Sequence, residues 1–271
     1  MDTIADKKKK LAERLRALGS AAVAFSAGVD STFLALFARD ILGGRLLAVT
    51  VKGPFIPGRE LDAAVNFCKE NNIRHVIAEA DVFSVKEFRE NAPDRCYHCK
   101  KLIFTEIKRI AAEYGISNIL DGSNLDDVSD YRPGMKALDE LGIISPLRDA
   151  GLTKDNIREL SRELGLPTAD KPSFACLATR IPCGDGITLQ KLQMAEQAEQ
   201  KLFDLGFTQF RVRIHGDTAR IEIMPEEFTK IISPETSAEI NSRFKELGFG
   251  FVTLDLGGYR MGSTNKNIPR G

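Results

Sequence analysis

Ser26-Ala27-Gly28-Val29-Asp30-Ser31 is the stretch whose residue types most plainly imply chemistry. Ser26, Ala27 and Gly28 carry almost no side chain, so their backbone N–H groups can close on a phosphate. An apolar strand, Ala21 to Phe25, leads into this loop, and a helix is expected to begin near Ser31. That helix would turn its first unpaired N–H groups, and the positive end of its dipole, toward the same point. Ser26 and Ser31 add hydroxyl donors. Asp30 places a carboxylate beside the phosphate site, which calls for a cation such as Mg²⁺ between them. The reading is a nucleotide-phosphate cradle. The plainer alternative is an ordinary strand–turn–helix with small turn residues. The Gly-Lys-Ser/Thr end of the common P-loop is missing, and so is Gly-x-Gly-x-x-Gly.

A second constellation is built on sulfur. Cys96-Tyr97-His98-Cys99 is a C-x-x-C pair flanked by Arg95, Lys100 and Lys101, positive neighbours that favour thiolate. Cys176 is a third thiol, close in sequence to Arg180. Three such thiolates can hold an iron–sulfur cluster by three corners and leave one iron open. A Cys₄ zinc site from Cys96, Cys99, Cys176 and Cys183 is an alternative, weakened by the seven-residue step between Cys176 and Cys183. A thioredoxin-like redox pair would need a different strand–helix context. Cys183 also reads as a loop cysteine without a role, and Cys68 as a small core hydrophobe.

Charged residues supply a third set. Arg211 and Arg213 sit two apart on one expected strand and share a face. Two guanidinium forks suit a phosphate or carboxylate, and a solvated hairpin face is the alternative. Glu199 and Glu222 read either as metal ligands near that strand or as solvated carboxylates. Asp121-Gly122-Ser123-Asn124 ends a strand and offers contacts to ribose, Mg²⁺ or substrate, as do Asp126 and Asp127. All are turn formers in any case. His75, His98 and His215 compose no catalytic arrangement.

The elements that must position these groups alternate. Helices are expected over 3–18, from Ser31 to Gly43-Gly44, and over 59–71, 100–114 and 153–164. Between them run strands at Ala21–Phe25, Leu46–Val51, His75–Glu79 and Ser117–Leu120, with a fifth candidate at Ile143–Leu147. This spacing describes an α/β fold with a Rossmann-like parallel sheet, whose ligands bind beyond the carboxyl ends of the strands. Lys171 to Gly184 has no clear period and reads as an active-site loop joining two domains. After it the pattern changes to a helix at 187–205 and a hairpin of Phe210–His215 and Thr218–Ile223. A helix at 235–247 and a strand at Phe251–Leu256 follow. The expected division is a domain of 1–184 and a smaller α+β domain of 185–271. The tail from Gly262 is polar.

Composition sets outer limits. The 271 residues include 38 basic and 38 acidic side chains, so the formal net charge is zero. That argues against a broad electrostatic grip on nucleic acid. No apolar run approaches the roughly 18 residues of a membrane span, and Met1 to Lys10 lacks the apolar core of a signal peptide. A cytoplasmic protein is expected, with a small-molecule nucleotide substrate, no membrane, no nucleic acid and a homo-oligomeric state. In that setting five cysteines suit metal or catalysis better than disulfides.

Ser26–Ser31 resembles the PP-loop of the ATP pyrophosphatase superfamily, Ser-Gly-Gly-x-Asp-Ser, with Ala27 at the second glycine. Taken with Arg95-Cys96-Tyr97-x-Cys99-Lys100, Asp121–Asn124, Lys171-Pro172, Cys176-Leu177-Ala178-Thr179-Arg180 and the Arg211-Val212-Arg213 hairpin, nearly the whole chain resembles the LarE family. The resemblance implies an ATP-dependent sulfurtransferase acting on a pyridinium-3,5-biscarboxylic acid mononucleotide, in the making of the nickel-pincer nucleotide of lactate racemase. It implies ATP at Ser26–Ser31 and Asp121–Ser123, Mg²⁺ at Asp30, and substrate phosphate at Arg211, Arg213 and Arg180. Two sulfur routes exist in the family: a sacrificial cysteine at the Cys176 position, or a 4Fe-4S cluster on three cysteines. Cys96 and Cys99 favour the cluster here. A tRNA-thiolating PP-loop enzyme is the rival reading, without the basic surface it needs; a zinc-bound nucleotide sensor is a further one.

Overall fold

The computed structural model describes residues 2–129, 133–172 and 174–260. Ser173 and the tail from Gly262 lie outside them. In chain order the elements are α1 (Ile4–Leu18), β1 (Ala21–Ala24), α2 (Val29–Leu42), β2 (Leu46–Lys52), α3 (Gly58–Glu70), β3 (Arg74–Glu79), α4 (Lys86–Arg89), α5 (Arg95–Glu113) and β4 (Ile119–Leu120). Then come α6 (Pro133–Glu140), α7 (Pro146–Asp149), α8 (Lys154–Glu163), α9 (Leu189–Asp204), β5 (Phe210–His215), β6 (Thr218–Ile223), α10 (Phe228–Ile231), α11 (Pro234–Glu246) and β7 (Phe251–Leu254).

Two compact units result: Met1–Val85 with Asp94–Phe174, and Lys86–Pro93 with Ala175–Gly271. The boundary expected after Gly184 lies inside the second of these. Asn91 shows why 86–93 belongs there. Its side-chain amide donates to the carbonyls of Ile181, Pro182 and Asp185 at 3.2, 2.6 and 3.1 Å.

The N-terminal unit is a Rossmann-like α/β sheet with strand order β3-β2-β1-β4, every pair parallel. β1, β2 and β4 are short and largely buried on both faces, as in a sheet covered on both sides, whereas the edge strand β3 exposes Arg74, Ile77 and Glu79. Ala21, Val23 and Phe25 alternate with Ala22, and together with Leu46 and Ala48 they share one core with α1, α2, α3 and α8. The opposite face is covered by α5, which touches all four strands and buries Phe104, Ile107, Ile110 and Ala111. Leu11 and Leu15 are fully buried on α1, on the stripe that the spacing implied. Thr3 and Thr153 open α1 and α8 with reciprocal caps to Asp6 and Asn156.

The fifth strand expected at Ile143–Leu147 does not form. Ile144 makes a single parallel bridge to Leu120, and Pro146 then opens α7. Proline has no N–H for a ladder and its fixed φ suits a first helical turn.

The C-terminal unit holds a mixed sheet of order β5-β6-β7. β5 and β6 are antiparallel, paired from Phe210↔Ile223 to His215↔Thr218, around a turn in which Gly216 has φ 59°. β7 joins β6 in parallel. α9 packs on β5 through Leu192, Ala195, Ala198 and Leu202. Among the described residues no helix is long and apolar enough to cross a membrane.

Cys68 is buried on α3, and burial pushes its thiol up to about 12. An alkylating agent at mildly alkaline pH should therefore leave Cys68 unlabelled in the native protein and label it after denaturation, as read by peptide mass spectrometry.

Candidate functional site

β1 ends against β4 and β2, where the strand order reverses, and a cleft of about 320 Å³ opens there. Such a reversal is where open α/β sheets bind ligands. Ser26, Gly28, Asp30 and Ser31 form one wall; Asp121, Gly122 and Ser123 form another. Val49, Val51, Ile56, Ile103 and Phe104 supply an apolar side suited to a flat ring. Ala27 and Val29 turn away from the cleft into the core.

The helix begins two residues earlier than expected, at Val29, with Gly28 as its N-cap and no side-chain capping bond. Its first amides are not closed off by a side chain, as an anion site needs. Hydroxyls brace the turn: Ser26 N donates to Ser31 Oγ at 3.3 Å, and the two Oγ atoms lie 3.0 Å apart. Gly122 packs directly on this turn; a Cβ there would stand 3.2 Å from Ser31 N. Below, Thr50 Oγ1 donates to Phe25 O at 2.8 Å and lies 2.8 Å from His75 Nε2. Burial holds the His75 imidazole below its usual range, which favours the neutral ring.

Asp30 already faces a cation. Lys154 Nζ lies 2.5 Å from Asp30 Oδ2, and Asn124 Nδ2 donates to Oδ1 at 3.2 Å. Both oxygens of Asp121 are engaged, by Ser145 Oγ at 2.6 Å and by Ser123 Oγ. Asp127 accepts from the Asn124 N–H at 2.9 Å, a local turn contact, whereas Asp126 accepts at 2.8 Å from the N–H of Lys154, the first residue of α8. Lys154 had one sequence signal: a lysine at the first position of a helix opposes the dipole unless it has another partner.

α5 begins at Arg95, so Cys96 and Cys99 lie on one face of its opening turns instead of in a preceding loop. Cys96 is exposed and Cys99 half-buried. Cys176, half-buried, opens the 3-10 turn Leu177–Arg180 of the C-terminal unit, and its carbonyl accepts from Thr179 Oγ1 at 2.8 Å. Cys183 is exposed and its Sγ lies 3.4 Å from Asn91 O. None of the five is in a disulfide. Among the described residues, no group of three or more His, Cys, Asp or Glu side chains is arranged to hold a metal ion.

The arginine strand is not the solvated hairpin face of the plainer reading. Arg211 and Arg213 share a face, but it is buried, with exposures of 4% and 6%. Arg213 grips Glu222 Oε2 at 2.9 and 3.1 Å and donates to Thr179 O at 2.8 Å. Arg211 donates to Phe210 O at 2.6 Å and lies over the ring of Tyr259. Burial, with the Arg180 charge, pulls the Arg211 guanidinium down to about 10. Arg180 is wholly enclosed, and its fork holds Glu199 at 2.6 and 3.0 Å. Glu199 and Glu222 are therefore neither solvated nor metal ligands here; they are the carboxylates of buried ion pairs. Burial alone would raise the Glu199 carboxyl. The Arg180 charge and hydrogen bonds, the Arg211 charge and the Val212 N–H outweigh it and hold it below the usual carboxylate range.

No family model matches the chain. An uncharacterized protein of Synechocystis sp. is 37% identical, over 93% of this chain and 94% of its own. The pyridinium-3,5-bisthiocarboxylic acid mononucleotide synthase of Lactiplantibacillus plantarum is 35% identical, over 100% of this chain and 98% of its own. This chain belongs to the LarE family. A glutamine-hydrolyzing GMP synthase chain of Sulfurisphaera tokodaii is more distant, 26% identical over 86% of this chain and 66% of its own. The match to the Lactiplantibacillus synthase spans both the cleft and the arginine strand of this LarE-family protein.

Glu199→Gln should destabilise the fold by about 3–5 kcal/mol, because it strands a buried guanidinium. Arg180→Met with Glu199→Leu should recover most of that in urea unfolding. The folded state holds Glu199 below its ordinary 4.5, so its contribution is full above that pH and is lost as pH falls through the lower folded value. Glu199→Gln should flatten that acid limb.

Proposed function

We propose that this protein is an ATP-dependent sulfurtransferase that converts a carboxylate of a pyridinium biscarboxylate mononucleotide into a thiocarboxylate. The carrying observation is the Ser26–Ser31 turn with its uncapped helix start, in a chain similar from end to end to a synthase of bisthiocarboxylic acid mononucleotide. ATP would lie with its phosphates on the turn and its base against Val49, Val51 and Phe104. The substrate carboxylate attacks the α-phosphorus and pyrophosphate leaves. Sulfide then attacks the acyl carbon, the C–O bond to AMP breaks, and the thiocarboxylate and AMP depart. The attacking sulfide enters as hydrosulfide and its proton is released with AMP, so the step needs no oxidant.

Asp30 is the carboxylate in place for Mg²⁺, with Lys154 as its present counter-charge. Cys96, Cys99 and Cys176 are thiols outside any disulfide, the donor type that a 4Fe-4S cluster takes, and would hold one by three corners. When bound, such a cluster would supply a sulfide that can be replaced after each turnover. Arg211 and Arg213, with Arg180 behind them, would receive the substrate phosphate. Four guanidiniums, Arg180, Arg211, Arg213 and Arg220, stand against Glu199, Glu222 and Asp255 there, so an anion is electrostatically welcome. A cytoplasmic homo-oligomer is part of the same reading.

Pyrophosphate and AMP should form only when ATP and the biscarboxylate mononucleotide are both supplied; ATP loss without thiocarboxylate overturns the reading. Protein purified without oxygen should contain iron, and Cys99→Ala should lose it. A colourless protein that gives up one sulfur per chain, with Cys176 short of its sulfur by mass spectrometry, would establish the sacrificial route instead. Arg211→Ala and Arg213→Ala should raise the KM for the mononucleotide and leave the ATP affinity unchanged.

A further inference from the structure

Ala27 has φ 54°, in the left-handed region that an L-residue enters only at a cost. It is buried, so something around it must fix that conformation. Its carbonyl accepts a hydrogen bond from Lys171 Nζ at 3.0 Å, from 144 residues along the chain. The same ammonium lies 2.7 Å from Glu60 Oε2, and the two side chains are only 20% and 12% exposed. The lysine is itself anchored: Arg158 donates to the Lys171 carbonyl at 3.1 Å and to the Ala169 carbonyl.

A trans peptide points its C=O and N–H in opposite directions. No described peptide here is cis. Fixing the Ala27 carbonyl on Lys171 therefore aims the Gly28 N–H the other way. That direction is toward Ser26 Oγ, at a long 3.4 Å, on the wall of the cleft. The helix that follows has no side-chain cap to do this work.

We infer that Lys171, locked by Glu60, is a positioning residue of the nucleotide cradle: it holds left-handed Ala27 so that the Gly28 N–H faces the incoming phosphate. The inference rests on reading the cleft as an ATP site. Lys171 acts through the backbone and does not touch the nucleotide. Glycine at position 27 would take the same φ without strain and would make the lysine dispensable.

The test is calorimetric titration of the full chain with Mg²⁺ and an ATP analogue whose α–β bridge is a methylene. Three proteins are compared: wild type, the pair variant K171M with E60Q, and that pair with A27G added. E60Q avoids a stranded buried carboxylate. The pair variant should bind about tenfold more weakly, the size expected for loss of one hydrogen bond to a charged group. A27G should bring the affinity back to within about threefold of wild type. Wild-type affinity in the pair variant overturns the inference. So does a loss that A27G does not repair, which would mean that Lys171 meets the phosphate itself. Should the pair variant fail to fold, K171Q is titrated with and without A27G, and the same two results decide. No binding by wild type overturns the ATP reading and this inference together, whereas wild-type binding with insensitive variants overturns the inference alone.

Discussion

Peptide N–H groups can grip a phosphate only if the fold leaves them unpaired, and unpaired N–H groups next to a core are costly. The turn between β1 and α2 is where this constraint falls. Its strand is locked between two parallel neighbours, its helix is the centre of the larger core, and its middle residue stands in a disfavoured φ. The surroundings read as answers to that one difficulty. Ser31 braces Ser26 from within, Gly122 lets the neighbouring strand end close up, and Lys171 reaches in from far along the chain. Thr50 and His75 secure the carbonyl just before the turn.

The C-terminal unit meets a different demand. It encloses guanidiniums and carboxylates almost completely, where an isolated charge could not survive. Each carboxylate is met by a planar fork, Glu199 by Arg180 and Glu222 by Arg213 and Arg220. Hydrophobic replacements of the same shape would hold such a fold as well or better. The ion pairs also fix where these side chains lie. They present rigid positive groups at fixed spacing, with Arg211 stacked on Tyr259 beside them.

Much of the α/β unit was legible because its signals are local. Small residues between an apolar strand and a helix gave the turn, and continuous apolar runs gave the two-sided sheet. The hairpin followed from strict alternation around Gly216-Asp217. What escaped was set by distant partners. Nothing in the spacing of Ile143–Leu147 told a strand from a single bridge; Pro146 decided it. A carboxylate in a helix or strand does not reveal the arginine it will meet, so nothing local marks Glu199 and Glu222 as halves of buried ion pairs. Asp30 argued for a cation from local chemistry, but the ammonium beside it comes from the first turn of α8. Ala27 is small enough for the turn; its cost lies in φ, which side-chain volume does not report.

One contact in the smaller sheet bears on how the protein behaves in a crowd. β5 is an outer strand, and its Val212 N–H turns away from the hairpin. Glu199 Oε1 accepts that N–H at 3.0 Å. An outer strand with open amides is a template on which stray chains can zip up. Here a carboxylate from the covering helix occupies the middle of that template, so the same side chain that balances Arg180 also blunts the route to sheet-to-sheet aggregation.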